Sequence, residues 1–515
     1  MSTSARLASL VVVSLLLIGC SGASFQTPGP QPDDHGRWWD DPPRRQFPER
    51  PTPAATVPPG NVFEDPGVNP FVDPWRDSES TFAMDVDTAS YDVARRFLEE
   101  GQLPPYESVR LEEFVNSFDY RYRPPADSAF AVQVDGAPTP FTSPRSLLLR
   151  VGIQGRVIPD EERAPASLTF VVDTSGSMAT DNRIALVRDA LAILVGGLGA
   201  QDTVAIVEFG SDARIVLNPT SAAEPEAIFA AMDQLEPDGS TNAQAGLELG
   251  YDIANFARRA GAIDRVVLAS DGVANVGLTD AQSILQRIDR EVQSGIDLVT
   301  VGVGLGNFND ALLEQLADRG NGFYAYLNDR HDAEELFGER LTGTLQLIAR
   351  DAKVQVEFRP DAVAAYRLLG YENRAIADDD FRDPRVDAGE IGSGHSVTAL
   401  YEVELAAGAR DGLLGTVRLR WTEPEGGAEQ SLAQDIELAH FSPEWGRSDP
   451  GFQLAATVAA FAEILRQSPW SRGYQLADVA READAIARFL GSDDAVREFA
   501  WLVNRAAGLS CWRCD

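Results

Sequence analysis

Lysine is all but absent from this 515-residue chain: among 44 basic residues, Lys353 is the single lysine. A P-loop needs a Gly-Lys pair to hold the β- and γ-phosphates of a nucleotide, so nucleotide binding of that kind is excluded. Histidine and cysteine are scarce too. The four histidines, His35, His331, His395 and His440, and the three cysteines never approach the spacing of a zinc site. Positive charge is in deficit overall, with 79 Asp and Glu, a formal charge of −35 and a pI near 4.4. That is the wrong sign for docking on phosphate backbones, so nucleic acid is not an expected partner. The amino-terminal apolar run, Leu7 to Ile18, is too short for a membrane span. As a helix it covers about 18 Å, against a hydrocarbon core of about 30 Å.

What is present is a globular composition, 44% hydrophobic and 24% charged, in a chain long enough for about three domains. Arg6, the apolar run and Gly19-Cys20 have the n- and h-regions of a secretory signal over 1–19. Leu17-Ile18-Gly19-Cys20 resembles a bacterial lipoprotein box, which implies that Cys20 carries the lipid anchor and that the protein sits on the membrane of the cell envelope. Several acyl chains anchor stably where one gives only marginal binding. In a two-membrane bacterium, Ser21 rather than Asp after the cysteine implies the outer membrane. The following stretch, 20–78, is a tether. Between Gln26 and Trp75 lie 13 of the 31 prolines with no apolar period, and Trp38, Trp39 and Trp75 read as incidental to it.

Order is expected from 79 onward. The N-terminal extension, 79–166, has a short alternating run at Thr81–Asp87, a helix capped by Thr88 or Ser90 and stopped at Gly101, a second helix near Ser108–Phe118, and strands at Phe130–Val134 and Leu147–Ile153. Asp85 and Asp87 read as solvent and cap contacts. Over 167–349 apolar runs alternate with helix-length amphipathic segments, which predicts an α/β domain with a doubly wound, mostly parallel sheet. Its last helix is expected over Asp332–Ala349. A β-rich domain, 350–445, follows, and strands on both sides of the α/β unit suggest that one β-sandwich flanks it or receives it as an insertion. A helical region of about three segments, 446–515, ends the chain.

The chemistry is expected on loops at the carboxyl ends of the strands. After Leu168–Val172 comes Asp173-Thr174-Ser175-Gly176-Ser177, where a carboxylate and two hydroxyls at alternate positions on a kinked loop can converge on one hard cation. Helix capping explains Asp and Ser after a strand, but not a further Thr241 before a helix and Asp271 at the end of another strand. These residues resemble the DxSxS motif and its distant Thr and Asp in the von Willebrand factor type A domain. The resemblance implies a metal-ion-dependent adhesion site made of Asp173, Ser175, Ser177, Thr241 and Asp271. It would hold Mg²⁺, or Mn²⁺ or Ca²⁺, and a replaceable water there leaves the ion open to an Asp or Glu carboxylate of a protein partner. The expected role is therefore recognition and not catalysis. The alternatives are a metal-dependent hydrolase, for which no base is identifiable, and a regulatory subunit of an ATPase complex.

Other motifs carry less. Gly302-Val303-Gly304-Leu305-Gly306 reads as a tight turn because Asn307 stands where a dinucleotide fingerprint needs its last glycine. His395 falls in a Gly-rich hairpin turn with no nucleophile elbow. Cys511 and Cys514, lacking a second pair, form a candidate disulfide. Met84–Tyr91, Leu103–Pro105, Arg110–Glu113, Phe118–Tyr120, Tyr366–Arg374 and Asp387–His395 resemble the regions flanking the type A domain in a family of bacterial envelope lipoproteins.

Overall fold

A computed structural model describes residues 63–511, apart from 273–277, 305–308, 384, 387, 410–411, 425–426 and 428. The expected signal segment, Cys20, most of the tether and Cys514 lie outside the described residues, as does the Cys511 side chain.

The amino-terminal segment comprises β1 (Glu79–Ala83), α1 (Ala89–Glu99), α2 (Leu111–Asn116), β2 (Phe130–Ala137) and β3 (Ser146–Gly155). Helix α1 starts after Thr88, whose side chain makes no capping hydrogen bond, and the chain turns away at Gly101, with φ at +80°. The helix expected over Ser108–Phe118 is the shorter α2 preceded by a single 3-10 turn at Tyr106–Ser108.

The α/β unit follows as β4 (Ala166–Asp173), α3 (Arg183–Gly196), β5 (Thr203–Phe209), β6 (Ala213–Ser221), α4 (Pro225–Met232), α5 (Ala243–Ala257), β7 (Ile263–Ser270), α6 (Leu278–Ser294), β8 (Asp297–Val303), α7 (Asp310–Arg319), β9 (Tyr324–Leu327), α8 (Arg330–Glu334) and α9 (Leu341–Leu345). Its sheet has the order β6-β5-β4-β7-β8-β9 and is parallel except at β6. Helices cover both faces: α3, α4 and α9 pack on one, α5, α6 and α7 on the other. That cover explains why the central strands read as unbroken apolar runs, and all eight residues of β4 are buried. The chain departs from β4 to both sides, so the crevice beyond its carboxyl end is the topological switch point.

The expected last helix does not run to Ala349. It breaks into α8, a π turn at Glu335–Glu339 and α9, and Leu347 already enters a strand. Thr342-Gly343-Thr344 are poor helix formers, and the backbone beyond them finds sheet partners instead.

The rest is β10 (Leu347–Phe358), β11 (Val363–Leu369), β12 (Gly389–Gly392), β13 (Ser396–Leu405), β14 (Leu413–Thr422), β15 (Glu429–Glu437), α10 (Pro450–Leu465), α11 (Leu476–Phe489) and α12 (Asp494–Cys511). Two antiparallel sheets form a sandwich, β1-β10-β14-β15 with β12 on β10, and β11-β13-β3-β2. Strands from both sides of the α/β unit share these sheets, so that unit is an insertion between β3 and β10. Phe82, Leu149, Val354, Tyr401 and Trp421 fill the sandwich core. Helices α10, α11 and α12 join α1 and α2 in a further core, where Phe114, Phe118, Phe461 and Phe499 meet at ring distances of 5.4–6.3 Å.

Two local expectations change. The His395 turn joins β12 to β13, but β12 pairs with β10 while β13 pairs with β3 and β11, so the turn crosses between sheets and is not a hairpin. Asp85 and Asp87 are not solvated; they are 4% and 3% exposed. Asp87 accepts the Tyr324 N–H at 3.0 Å, and both carboxylates meet Arg374, at 3.2 and 3.0 Å.

Candidate metal centre

The loop after β4 takes its shape from its own side chains. The Asp173 carboxylate accepts the Ser175 N–H at 2.8 Å through Oδ1 and the Ser270 hydroxyl at 2.6 Å through Oδ2. Thr174, which points the other way, donates both its N–H and its hydroxyl to the Phe209 carbonyl at the end of β5. The alternation thus puts Asp173 on one side of the loop and Thr174 on the other. Ser175 and Ser177 lie with their hydroxyl oxygens 3.0 Å apart, and Ser177 donates to Asp271 Oδ1 at 3.0 Å. Asp271, fully buried just beyond β7, has its other oxygen on the Arg183 guanidinium at the start of α3.

Four of the five expected residues are therefore directly hydrogen-bonded or one bond removed. Thr241 approaches through the backbone: Gly176 N–H donates to the Gly239 carbonyl at 3.1 Å and Asp238 N–H to the Thr174 carbonyl at 2.7 Å. Asn242 then caps α5 by accepting the Ala245 N–H at 3.1 Å. The Thr241 side chain is half-buried at that junction.

Ser270 and Arg183 are neighbours that the sequence reading passed over. Ser270 braces Asp173 and accepts the Gly272 N–H at 3.1 Å. Arg183 is accommodated because Gly304, at φ +74°, leaves its space open; a Cβ there would stand 2.1 Å from the Arg183 Nε. The turn reading of the Gly302–Gly306 stretch holds at Gly304, while Leu305 and Gly306 lie outside the described residues.

Burial pushes the Asp173 carboxyl up to about 6, against hydrogen bonds from Ser270 and Ser175 that pull it down. Desolvated negative charge of this kind is stabilised by a cation. Among the described residues no group of three or more His, Cys, Asp or Glu side chains could hold a metal. The present set has only two carboxylates and draws its other oxygens from hydroxyls. Its donor chemistry fits Mg²⁺: oxygens about 2.1 Å from a common centre in an octahedron stand about 3.0 Å from their neighbours, the separation of both the Ser175–Ser177 and Ser177–Asp271 pairs.

Residues 167–339 match the von Willebrand factor type A domain family, 59–149 a family described as von Willebrand factor, and 343–509 the C-terminal family of the uncharacterized protein YfbK. The YfbK protein of Escherichia coli (strain K12) is 36% identical over 419 residues, 76% of this chain and 72% of that one. Inter-alpha-trypsin inhibitor heavy chain H3 of Homo sapiens is 24% identical over 267 residues, 47% of this chain but 29% of that protein. Among solved structures, a von Willebrand factor type A protein from Catenulispora acidiphila aligns with a TM-score of 0.44 and 18% identity, covering 74% of this chain and 90% of that one. The α/β unit is a von Willebrand factor type A domain.

Proposed function

We propose, starting from the fact that this chain belongs to the family of the Escherichia coli YfbK protein, that it is a non-enzymatic recognition protein of the cell envelope. In this reading Asp173, Ser175, Ser177, Thr241 and Asp271 hold a divalent cation, Mg²⁺ first, and an Asp or Glu carboxylate of a protein partner completes the site. The observation that carries it is the run of oxygens 3.0 Å apart from Ser175 through Ser177 to Asp271, beside the buried Asp173 carboxylate.

The chemistry that a bound cation supplies is an electrophilic point for an outside carboxylate. The chain's own residues make that point selective. Three of the five ligands are neutral, and Arg183 offsets much of the charge of Asp271, so the site keeps a net positive field once loaded. Ser270 holds Asp173 in one rotamer, and Gly176 with Gly239 fixes the distance between the loops. Recognition needs no group aimed at a substrate, and both carboxylates here are already engaged by hydroxyls, a backbone N–H or Arg183.

Attachment through Cys20 would hold this domain at the membrane of the cell envelope on its Pro-rich tether. Calorimetric titration with Mg²⁺ and Mn²⁺ tests the cation site: saturable binding is expected for the wild type and none for Asp173→Ala. Unchanged binding in that variant would overturn the assignment. Mass spectrometry of the mature amino terminus tests the anchor, with acylated Cys20 expected and an unmodified amino terminus counting against it.

A further inference from the structure

Helices α1, α8 and α12 enclose a cavity of about 290 Å³ that none of the proposed cation ligands lines. Its wall is crowded with carboxyl groups. Arg95, 4% exposed on α1, faces three carboxylates at once: Asp92 at 3.4 Å, Glu498 at 3.6 Å, and Asp332 in a hydrogen bond. Arg340, on the same wall, is taken by Glu335 at 2.6 Å. Three carboxylates crowd one guanidinium, and burial with their acidic neighbours holds the Asp92, Asp332 and Glu498 carboxyls above the usual range, a cost that an added cation relieves. Asp332 is satisfied further by the Asn328 and Asp329 N–H groups, so the carboxyl groups left for a ligand are those of Asp92 and Glu498.

A second observation points into the same space. Tyr91 is 7% exposed, and its hydroxyl has no hydrogen-bond partner among the described residues. It lies on the cavity wall, within electrostatic reach of Glu498, Asp92 and Glu335. Leaving such a group buried and unpaired costs free energy that a ligand would recover. The ring itself packs edge-on against Phe118 at 5.3 Å, and with Leu327 and Leu336 it makes part of the wall apolar.

We propose that this cavity binds a primary ammonium group carried on an alkyl chain. Asp92 and Glu498 pair with the ammonium, the Tyr91 hydroxyl accepts a hydrogen bond from one of its N–H groups, and the aromatic and aliphatic wall takes the methylenes. A bare metal ion fits less well, since among the described residues no three carboxylates cluster closely enough to cage one. An anion finds the Arg95 guanidinium already engaged by three carboxylates. Two sources present this chemistry, a free aliphatic diamine and the lysine side chain of a peptide.

Calorimetry on the full chain in EDTA, which removes any contribution of the cation site, tests the proposal with 1,5-diaminopentane and with Nα-acetyl-lysine amide as probes. Saturable binding of at least one is expected, and whichever binds more tightly identifies the source. Asp92→Asn and Glu498→Gln should each weaken it about tenfold, and Tyr91→Phe, which keeps every charge and the ring, about fivefold. The proposal is overturned if neither probe binds the wild type, or if binding survives all three substitutions unchanged. Because EDTA is present throughout, either result leaves the cation reading untouched.

Discussion

Two short acidic motifs, Asp85-x-Asp87 and Asp173-x-Ser175-x-Ser177, each stand at the end of a strand and look alike on paper. Their carboxylates are equally hidden, 4% and 3% exposed in the first and 0% at Asp173 in the second. They differ in what neutralises them. Asp85 and Asp87 share the Arg374 guanidinium with Asp318, at 2.6 Å, and Glu314, at 3.5 Å. Asp173 is met by neutral groups, a serine hydroxyl and a backbone N–H. Asp85 and Asp87, tied to an internal cation, act as a fastener, here clamping β9 and α7 of the inserted domain to the sandwich. A buried carboxylate surrounded by neutral oxygens has its charge available to something from outside.

The sharpest way to break this distinction is at the fastener. Arg374→Ala strands the Asp85 and Asp87 carboxylates in a buried site, where burial and the neighbouring Asp85 already hold the Asp87 carboxyl well above its usual range. Removing one partner of such a network costs about 3–5 kcal/mol. Urea denaturation should show that loss, while the folded fraction still titrates with Mg²⁺. If stability is unchanged, the cluster is not a fastener and the comparison fails.

The converse variant comes next. A ligand that binds only the native state adds about 2.7 kcal/mol at a hundred times its dissociation constant. Saturating Mg²⁺ should therefore raise the wild-type unfolding midpoint, raise that of Arg374→Ala by a similar amount, and leave Asp173→Asn where it was. A rise in Asp173→Asn would mean that the cation acts elsewhere.

How these motifs would sort was only partly legible in the sequence. The type A core was readable because strands buried on both faces show as apolar runs, as β4 does with all eight of its residues buried. The sandwich was harder. Strand β11 is masked by Arg367, a charge that reads as a surface residue in sequence although it is buried against Glu402 and Glu463 at 3.3 Å each. Strand β12 has four residues, two of them glycine. Asp85 and Asp87 were misread because their partner lies 287 residues beyond Asp87, and no local pattern announces an ion pair over that distance. At the candidate metal centre the loop motif and the distant Thr and Asp were visible, whereas Ser270 and Arg183 act on the carboxylates and carry no motif of their own.

A smaller effect is expected at the edge of the fastener region, where His395 packs beside α9 and faces Phe323 across 6.5 Å. Burial, with the charges of Arg340 and Arg265, lowers its imidazole to about 4. The unfolded chain then binds the extra proton between pH 6.5 and 4, so stability is full above that window and is lost as pH falls through it. The loss attributable to His395 at pH 5 is about 2 kcal/mol. His395→Gln should flatten that part of the stability profile without moving Mg²⁺ affinity at pH 7.5. A profile as steep as the wild type's would assign the acid sensitivity to other groups.

The smallest and most selective effect belongs to Thr241, which tests whether the outward-facing motif is built for a partner or only for an ion. Its hydroxyl is neutral, and its loop is tied to the Asp173 loop by the Gly176–Gly239 and Asp238–Thr174 backbone hydrogen bonds rather than through its own side chain. Thr241→Ala therefore leaves both loops braced and both carboxylates in place, so Mg²⁺ affinity should fall little. When an outside carboxylate arrives and withdraws charge from the ion, a further oxygen ligand gains value, and the hydroxyl contributes differentially to that state. A loss of about 1 kcal/mol, a factor of about five, is expected in the affinity of the loaded site for an Asp- or Glu-bearing peptide. Titrating such a peptide into wild type and variant, each with Mg²⁺ and with EDTA, separates the two steps. An equal loss in both would make Thr241 an ordinary ligand, and peptide binding that persists in EDTA would put recognition on another face of the domain.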